Sequence, residues 1–132
     1  MSQENVDTFR RGADAINRGD PEAALEVVDP DLIFEPLRAG VQGAYRGHSG
    51  MREFLADTTE SFDAFQLDYV EVRDLGADRV LAIGAIHLRG KGSGIETDVQ
   101  TAGIATYREG RLLHWKDFGE KEKALEAAGL SE

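Results

Sequence analysis

Residues 107–118 read YREGRLLHWKDF. The Glu109-Gly110 pair is a turn signal between two extended runs, so the stretch is a hairpin corner followed by a strand over 111–118. Side chains alternate along a strand, which puts Leu113, Trp115 and Asp117 on one face and His114 and Lys116 on the other. A carboxylate beside a tryptophan is then either a rim group meeting water or a neighbouring arginine, or an acid kept on an apolar wall for chemistry.

Working outward, two more turn signals precede this one, Gly76-Ala77-Asp78 and the run Gly90-Lys91-Gly92-Ser93-Gly94. They divide the second half of the chain into four long strands in hairpin succession, over 66–75, 78–90, 95–108 and 111–118. The first half has helical periodicity instead. Val6, Phe9, Ala13 and Ile16 fall on one face of a helix from Glu4 to Arg18, with Gly12 close to that face. Asp20-Pro21 reads as an N-cap with proline at the first helical position, opening a short helix through Val28. LIFEP predicts a strand from Leu32 to Glu35, and 39–47 a glycine-rich loop. Ser49 caps a third helix whose inward face is Met51, Phe54, Leu55, Thr58 and Phe62. A closing helix covers Glu120 to Ala128, with Gly129 after it. Helices grouped ahead of an antiparallel meander mean α+β, helices laid on one face of a curved sheet.

The whole chain, 132 residues, is expected to be one domain. A formal net charge of -10 disfavours polyanionic partners, so neither nucleic acid nor an anionic membrane is expected. There is no cysteine, which excludes disulfides and thiolate chemistry. The N-terminal stretch lacks the basic end and apolar run of a signal peptide, and a cytoplasmic protein is expected. The histidines at 48, 87 and 114 lack chelating spacing, so no metal is expected. GHSGM lacks the spacing of a nucleophile elbow, and GKGSG joins two strands rather than a strand to a helix, unlike a phosphate loop.

The element order, with the strings INRGDPEAAL, DPDLIFEP, YRGHSGMREF and YREGRLLHWKDF, resembles the nuclear transport factor two-like superfamily, and within it the SnoaL-like branch. The resemblance covers nearly the whole chain. It implies a cone in which helices close one end of a curved sheet around an apolar pocket, no cofactor, and a homodimer packed through the sheet. That dimer would cover outer-face residues such as Val99, Ile104 or Leu112. By the same resemblance, the tyrosine and protonated-aspartate donors of the ketosteroid isomerases match Gly12 and Gly103, so neither donor is present there. Their base matches Glu35. In the epoxide-hydrolase branch the final-strand aspartate matches Asp117, but its arginine and second aspartate match Gly84 and Ile86. SnoaL-like cyclases also place an acid/base aspartate in this strand, again matched by Asp117.

The resulting expectation is a small-molecule-binding protein that performs acid/base chemistry, namely isomerisation, cyclisation or ring opening, on a hydrophobic metabolite. Asp117 is the first catalytic candidate, with Glu35 or His87 as second group. Trp115, Tyr45, Phe54, Gly12, Gly103 and Ala105 are candidates for lining the pocket. The alternative is a non-catalytic receptacle using the same cavity. Bland readings stand beside each: Glu35 and His87 as surface side chains, Tyr45 and Trp115 as core, and a pocket filled by Trp115 and Phe54 where Gly103 and Ala105 are small.

Overall fold

The computed structural model describes residues 2–37 and 43–130. The chain opens with helix α1 (Ser2–Arg18), turned at Gly19 (φ +71°) into α2 (Pro21–Glu26). The Asp20 carboxylate caps α2 by accepting from the Ala23 N–H at 3.1 Å, and Pro21, whose missing N–H costs nothing there, begins it. Strands β1 (Val28–Glu35) and β2 (Tyr45–Arg46), helix α3 (Gly47–Ser61), strands β3 (Phe62–Gly76), β4 (Arg79–Gly90), β5 (Glu96–Arg108) and β6 (Arg111–Asp117), and helix α4 (Lys121–Ala127) follow.

Among the described residues six strands form one sheet in the order β2-β1-β6-β5-β4-β3. The β3–β4 turn uses Ala77 (φ 54°) and Asp78 (φ 60°), and the β5–β6 turn Glu109 (φ 53°) and Gly110 (φ 81°). Two successive left-handed residues give a tight hairpin the right-handed twist of its strands. The meander is antiparallel as expected, but β1 runs parallel to β6. That pairing carries the first strand back beside the last.

Local boundaries depart from the sequence reading where tertiary bonds outweigh propensity. Helix α2 stops at Glu26, and β1 starts at Val28 rather than Leu32. The Leu112 N–H donates to the Val27 carbonyl at 2.7 Å, and Val28 pairs with Leu112, drawing the chain onto β6. Pairing then skips to Ile33, passing Pro30, which has no N–H for a ladder. Beside that gap Arg108 clamps Asp29 through Nε (3.1 Å) and Nη2 (2.8 Å), and Nη2 also reaches Asp31 (2.8 Å). A guanidinium fork matches a carboxylate with two parallel bonds. Those bonds hold the Asp29 carboxyl below its ordinary range. Helix α3 begins at Gly47, not behind Ser49, and His48 Nε2 donates to the Val28 carbonyl at 2.8 Å. Phe62, read as the end of that helix, begins β3. Of the loop expected over 39–47, residues 39–42 lie outside the described residues, and Tyr45–Arg46 pairs with β1.

The two faces of the sheet are buried separately. On the helix side Val80, Ala82, Ala105, Tyr107 and Trp115 pack with Leu25, Met51 and Phe54. On the other side Leu81, Ile83, Ala102 and Ile104 pack under Ala124 and Leu125 of α4. This second core corrects the reasoning behind a sheet-packed dimer. Ile104 is covered within the chain by α4, while Val99 and Leu112 turn inward, so these three residues give no reason for a partner. Among the described residues, no helix is long and apolar enough to cross a membrane.

One close approach fixes where β5 and β6 meet. The indole of Trp115 lies on Gly103, where a Cβ would come within 2.6 Å of ring atoms Cζ2 and Cη2 and within 2.6 Å of the Lys116 carbonyl oxygen. Gly103→Ala is therefore expected to cost about 1–3 kcal/mol of stability through overpacking. Urea unfolding of the two proteins measures it, and an unchanged midpoint would contradict this packing.

Candidate active site

A cavity of about 260 Å³ lies between the sheet and the helices. Phe9, Gly12 and Ile16 of α1 form one wall, and Met51 and Phe54 of α3 another. The sheet contributes Leu67 and Tyr69 from β3, Ile86 and Leu88 from β4, and Trp115 and Asp117 from β6. The period-2 rule delivers these residues, since in each strand they are two apart. An irregularity between Thr106 and Tyr107 in the β5–β6 pairing brings Leu112, rather than Leu113, to the cavity. Trp115 and Asp117 do share the inner face.

The aromatic rings around the cavity form two groups. Phe9 stands edge-on to Tyr69 with ring centroids 4.9 Å apart and lies 5.5 Å from Trp115, while Tyr69 and Trp115 are 6.2 Å apart. In the second group Phe54 meets Phe34 at 4.8 Å and Tyr45 at 5.5 Å. Edge-to-face contacts at these separations satisfy the ring quadrupoles and make a firm apolar surface.

Asp117 is the carboxylate on that surface. Its Oδ1 accepts from the Gly119 N–H (2.8 Å) and the Ala102 N–H (3.2 Å), and its Oδ2 accepts from the Thr101 hydroxyl. Burial pushes its carboxyl above the ordinary range, and these three hydrogen bonds pull part of the way back. Tyr69 has a raised pKa for the same leading reason, burial, with the Asp117 charge adding to it. Tyr69 and Tyr107 are the other titratable side chains on the cavity wall among the described residues.

The remaining candidates are not gathered here. Glu35 follows Phe34 in β1, so when Phe34 points inward Glu35 points out. It accepts from His114 Nε2 at 2.7 Å and lies 3.6 Å from Lys116 Nζ, and the His114 bond, the largest cause, lowers its pKa. His87 likewise lies between the inward Ile86 and Leu88, on the outer face. It is held by Asp98 (2.7 Å) and Asp68 (3.5 Å), and the Asp98 hydrogen bond leads the rise in its pKa. Both are outer-face ion pairs, a correction to their place as second catalytic group. Trp115, Phe54 and Gly12 line the cavity; Tyr45, Gly103 and Ala105 stand behind its wall. Tyr45 donates to Asp57 at 2.9 Å, while Gly103 and Ala105 are covered by Trp115 and its neighbours. The sequence reading missed Tyr69 and Thr101. Their signal was present as polar residues at inward parity in β3 and β5, but parity there could be fixed only once the pairing was known. Among the described residues no group of three or more His, Asp or Glu side chains is placed to hold a metal ion.

The SnoaL-like domain profile matches residues 9–115, most of the chain. The chain belongs to the SnoaL-like family. No curated protein matches this SnoaL-like sequence. Solved structures share its fold. TerC, co-crystallised with polyporic acid, is 22% identical with a TM-score of 0.77, over 96% of this chain and 98% of that one. A putative polyketide cyclase from Xanthomonas campestris pv. campestris is 19% identical with a TM-score of 0.78, over 96% and 98%. An LEH-like epoxide hydrolase from M. tuberculosis is 14% identical with a TM-score of 0.75, over 96% and 90%. At these identities the likeness concerns the SnoaL-like fold alone.

The upward shift of Asp117 carries a sign. The folded state binds this proton more tightly than the unfolded chain, so stability falls as pH rises from about 3.9 through the folded value. Asp117→Asn removes that penalty while keeping the shape: its oxygen can accept from Ala102 and Gly119, and its amide can donate to Thr101. The variant is expected to have a higher urea midpoint than wild type at pH 7, with the gap closing toward pH 4. A lower midpoint at pH 7 would contradict the burial of the charge.

Proposed function

We propose that this SnoaL-like protein is an enzyme that binds a flat, hydrophobic metabolite and moves a proton on it, with Asp117 as the acid/base. The observation that carries the reading is the position of Asp117. A carboxylate set in an aromatic wall, fixed by two backbone N–H groups and one hydroxyl, is costly to bury and is oriented with one side toward the cavity. A purely receptive apolar cavity has no use for that cost. With its affinity for a proton increased, the carboxylate is a better base toward carbon or toward a water that attacks an epoxide, and its acid form persists at higher pH as a donor to a leaving oxygen.

The cavity supports the substrate class. Its described lining carries no Lys, Arg or His, so an anionic ligand would meet Asp117 without a counter-charge. A neutral molecule with one or two fused rings and a single carbonyl or epoxide oxygen fits the apolar walls and the single polar corner. Isomerisation, cyclisation and ring opening all begin with a proton removed from, or given to, such a molecule.

The competing reading is a receptacle without chemistry, and one comparison separates them. After a ligand is found by thermal-shift screening of monocyclic and bicyclic ketones and epoxides, wild type and Asp117→Asn are compared for affinity and for turnover. An enzyme keeps its affinity within a few-fold in the variant and loses turnover by about 10²-fold or more. If wild type leaves every bound ketone and epoxide unchanged over hours, the catalytic reading is wrong and the receptacle stands.

A further inference from the structure

Asp117 keeps part of its hydrogen-bonding capacity free. An ionised carboxylate has about four acceptor sites, shared between its two oxygens. Among the described residues Oδ1 accepts from the Gly119 and Ala102 N–H groups, and Oδ2 accepts from the Thr101 hydroxyl alone. One site is left, on Oδ2, and Asp117 lies on the cavity lining. Its charge is left as well. The described lining carries no Lys, Arg or His, and the adjacent Lys116 turns to the outer face and to Glu35. Neutral donors orient a carboxylate without cancelling its charge, and a buried charge is ordinarily paired.

The surroundings suit an organic cation. The indole of Trp115 reaches Gly103, the residue in register with Asp117. Tyr69 opens a row across the sheet, in register with Gly84 of β4 and through it with Thr101 of β5, the residue that holds Oδ2. The middle of that row is bare, since a Cβ on Gly84 would come within 2.0 Å of the Asp68 carbonyl oxygen. The rings of Tyr69 and Trp115 are inclined at 79°, and Phe9 packs against both, so the carboxylate shares its corner with three aromatic side chains. An inorganic cation would exchange its water for hydrocarbon there. An alkylammonium ion has less hydration to lose, and aromatic faces attract its charge.

The number of N–H groups decides which ammonium ion fits. One open acceptor site matches one N–H, the complement of a protonated tertiary amine. A primary ammonium ion carries three, and those without an acceptor are stripped of water and left unpaired. A quaternary ion has none, and its fourth alkyl group holds the charge away from Oδ2. We propose that the Asp117 corner is a binding site for hydrophobic tertiary ammonium ions, with the N–H donated to Oδ2 and the alkyl groups laid on Phe9, Tyr69 and Trp115. Such an ion and the neutral substrate of the proposed reaction exclude one another from the cavity. The site needs only the charge and position of the carboxylate, so it goes beyond the acid/base reading and does not depend on it.

Three cations built on one benzyl group test the assignment at pH 7: N,N-dimethylbenzylamine, which is tertiary, benzylamine, which is primary, and benzyltrimethylammonium, which is quaternary. Affinities from NMR titration of wild type should peak at the tertiary ion, about tenfold above each of the others. Apolar area alone cannot give that order, because the quaternary ion has the most. Asp117→Asn should weaken the tertiary ion by about tenfold or more. With a net charge of -10 the outer surface also attracts amines, and affinity unchanged in this variant belongs to that surface and overturns the proposal. A second measurement needs no variant. In carbon-detected titration of wild type, the Asp117 carboxyl should fall in pKa by about 1 unit when saturated with the tertiary ion, because a cation favours the charged form. Isobutylbenzene, the uncharged isostere, should produce no fall. A tertiary ion that binds no more tightly than the quaternary one, or that leaves the Asp117 carboxyl unmoved, overturns the site. None of these measurements involves turnover, so this site and the acid/base reading can fail separately.

Discussion

Trp115 seated against Gly103 is the contact around which the rest of the molecule is arranged. The indole can reach the sheet only because β5 offers a bare backbone there, and once seated it sets the inward parity of β6. That parity brings Asp117 to the cavity and sends His114 and Lys116 to the outer face, where they pair with Glu35. The same indole gives Phe9 of α1 and Tyr69 of β3 a surface to pack against, so the first helix and the far side of the sheet are joined across the cavity by three rings. Gly12 lines the cavity too, and lies against Val27, where a Cβ would come within 3.3 Å of Cγ2.

Most of the architecture was legible from pattern. The hairpin turns at 76–78 and 109–110, the strands between them and the Asp20-Pro21 helix start follow from local rules that depend on neighbours in the chain. What the sequence did not disclose depends on partners far along it. Nothing in DPDLIFEP announces that the strand begins at Val28, because the bonds that pull it there come from Leu112 and Arg108. The parallel pairing of β1 with β6 is likewise a long-range fact.

The site divides along the same line. Asp117 could be picked out because a carboxylate two residues from a tryptophan is unusual within one strand. Glu35 and His87 have the right chemistry, but their faces are decided by Phe34, Ile86 and Leu88 turning inward, and each is satisfied by an ion pair on the outer surface. Tyr69 and Thr101 were passed over because neither residue type stands out locally. Their meaning comes from the row through Gly84, which exists only after three strands are in register.

The sheet is one layer thick between two cores, and the backbone that fixes Asp117 belongs to both. The Ala102 N–H holds the carboxylate from the inner side, while the Ala102 side chain is buried beneath α4 on the outer side. Gly119 holds it from the turn into α4, just beyond Phe118, which packs against that same outer cluster and donates its N–H to the Ala102 carbonyl at 2.7 Å. The closing helix therefore works as a clamp on the back of the wall. One peptide thus serves both faces: the residue whose N–H fixes the carboxylate in the cavity wall is the one that Ala124 and Leu125 bury from behind.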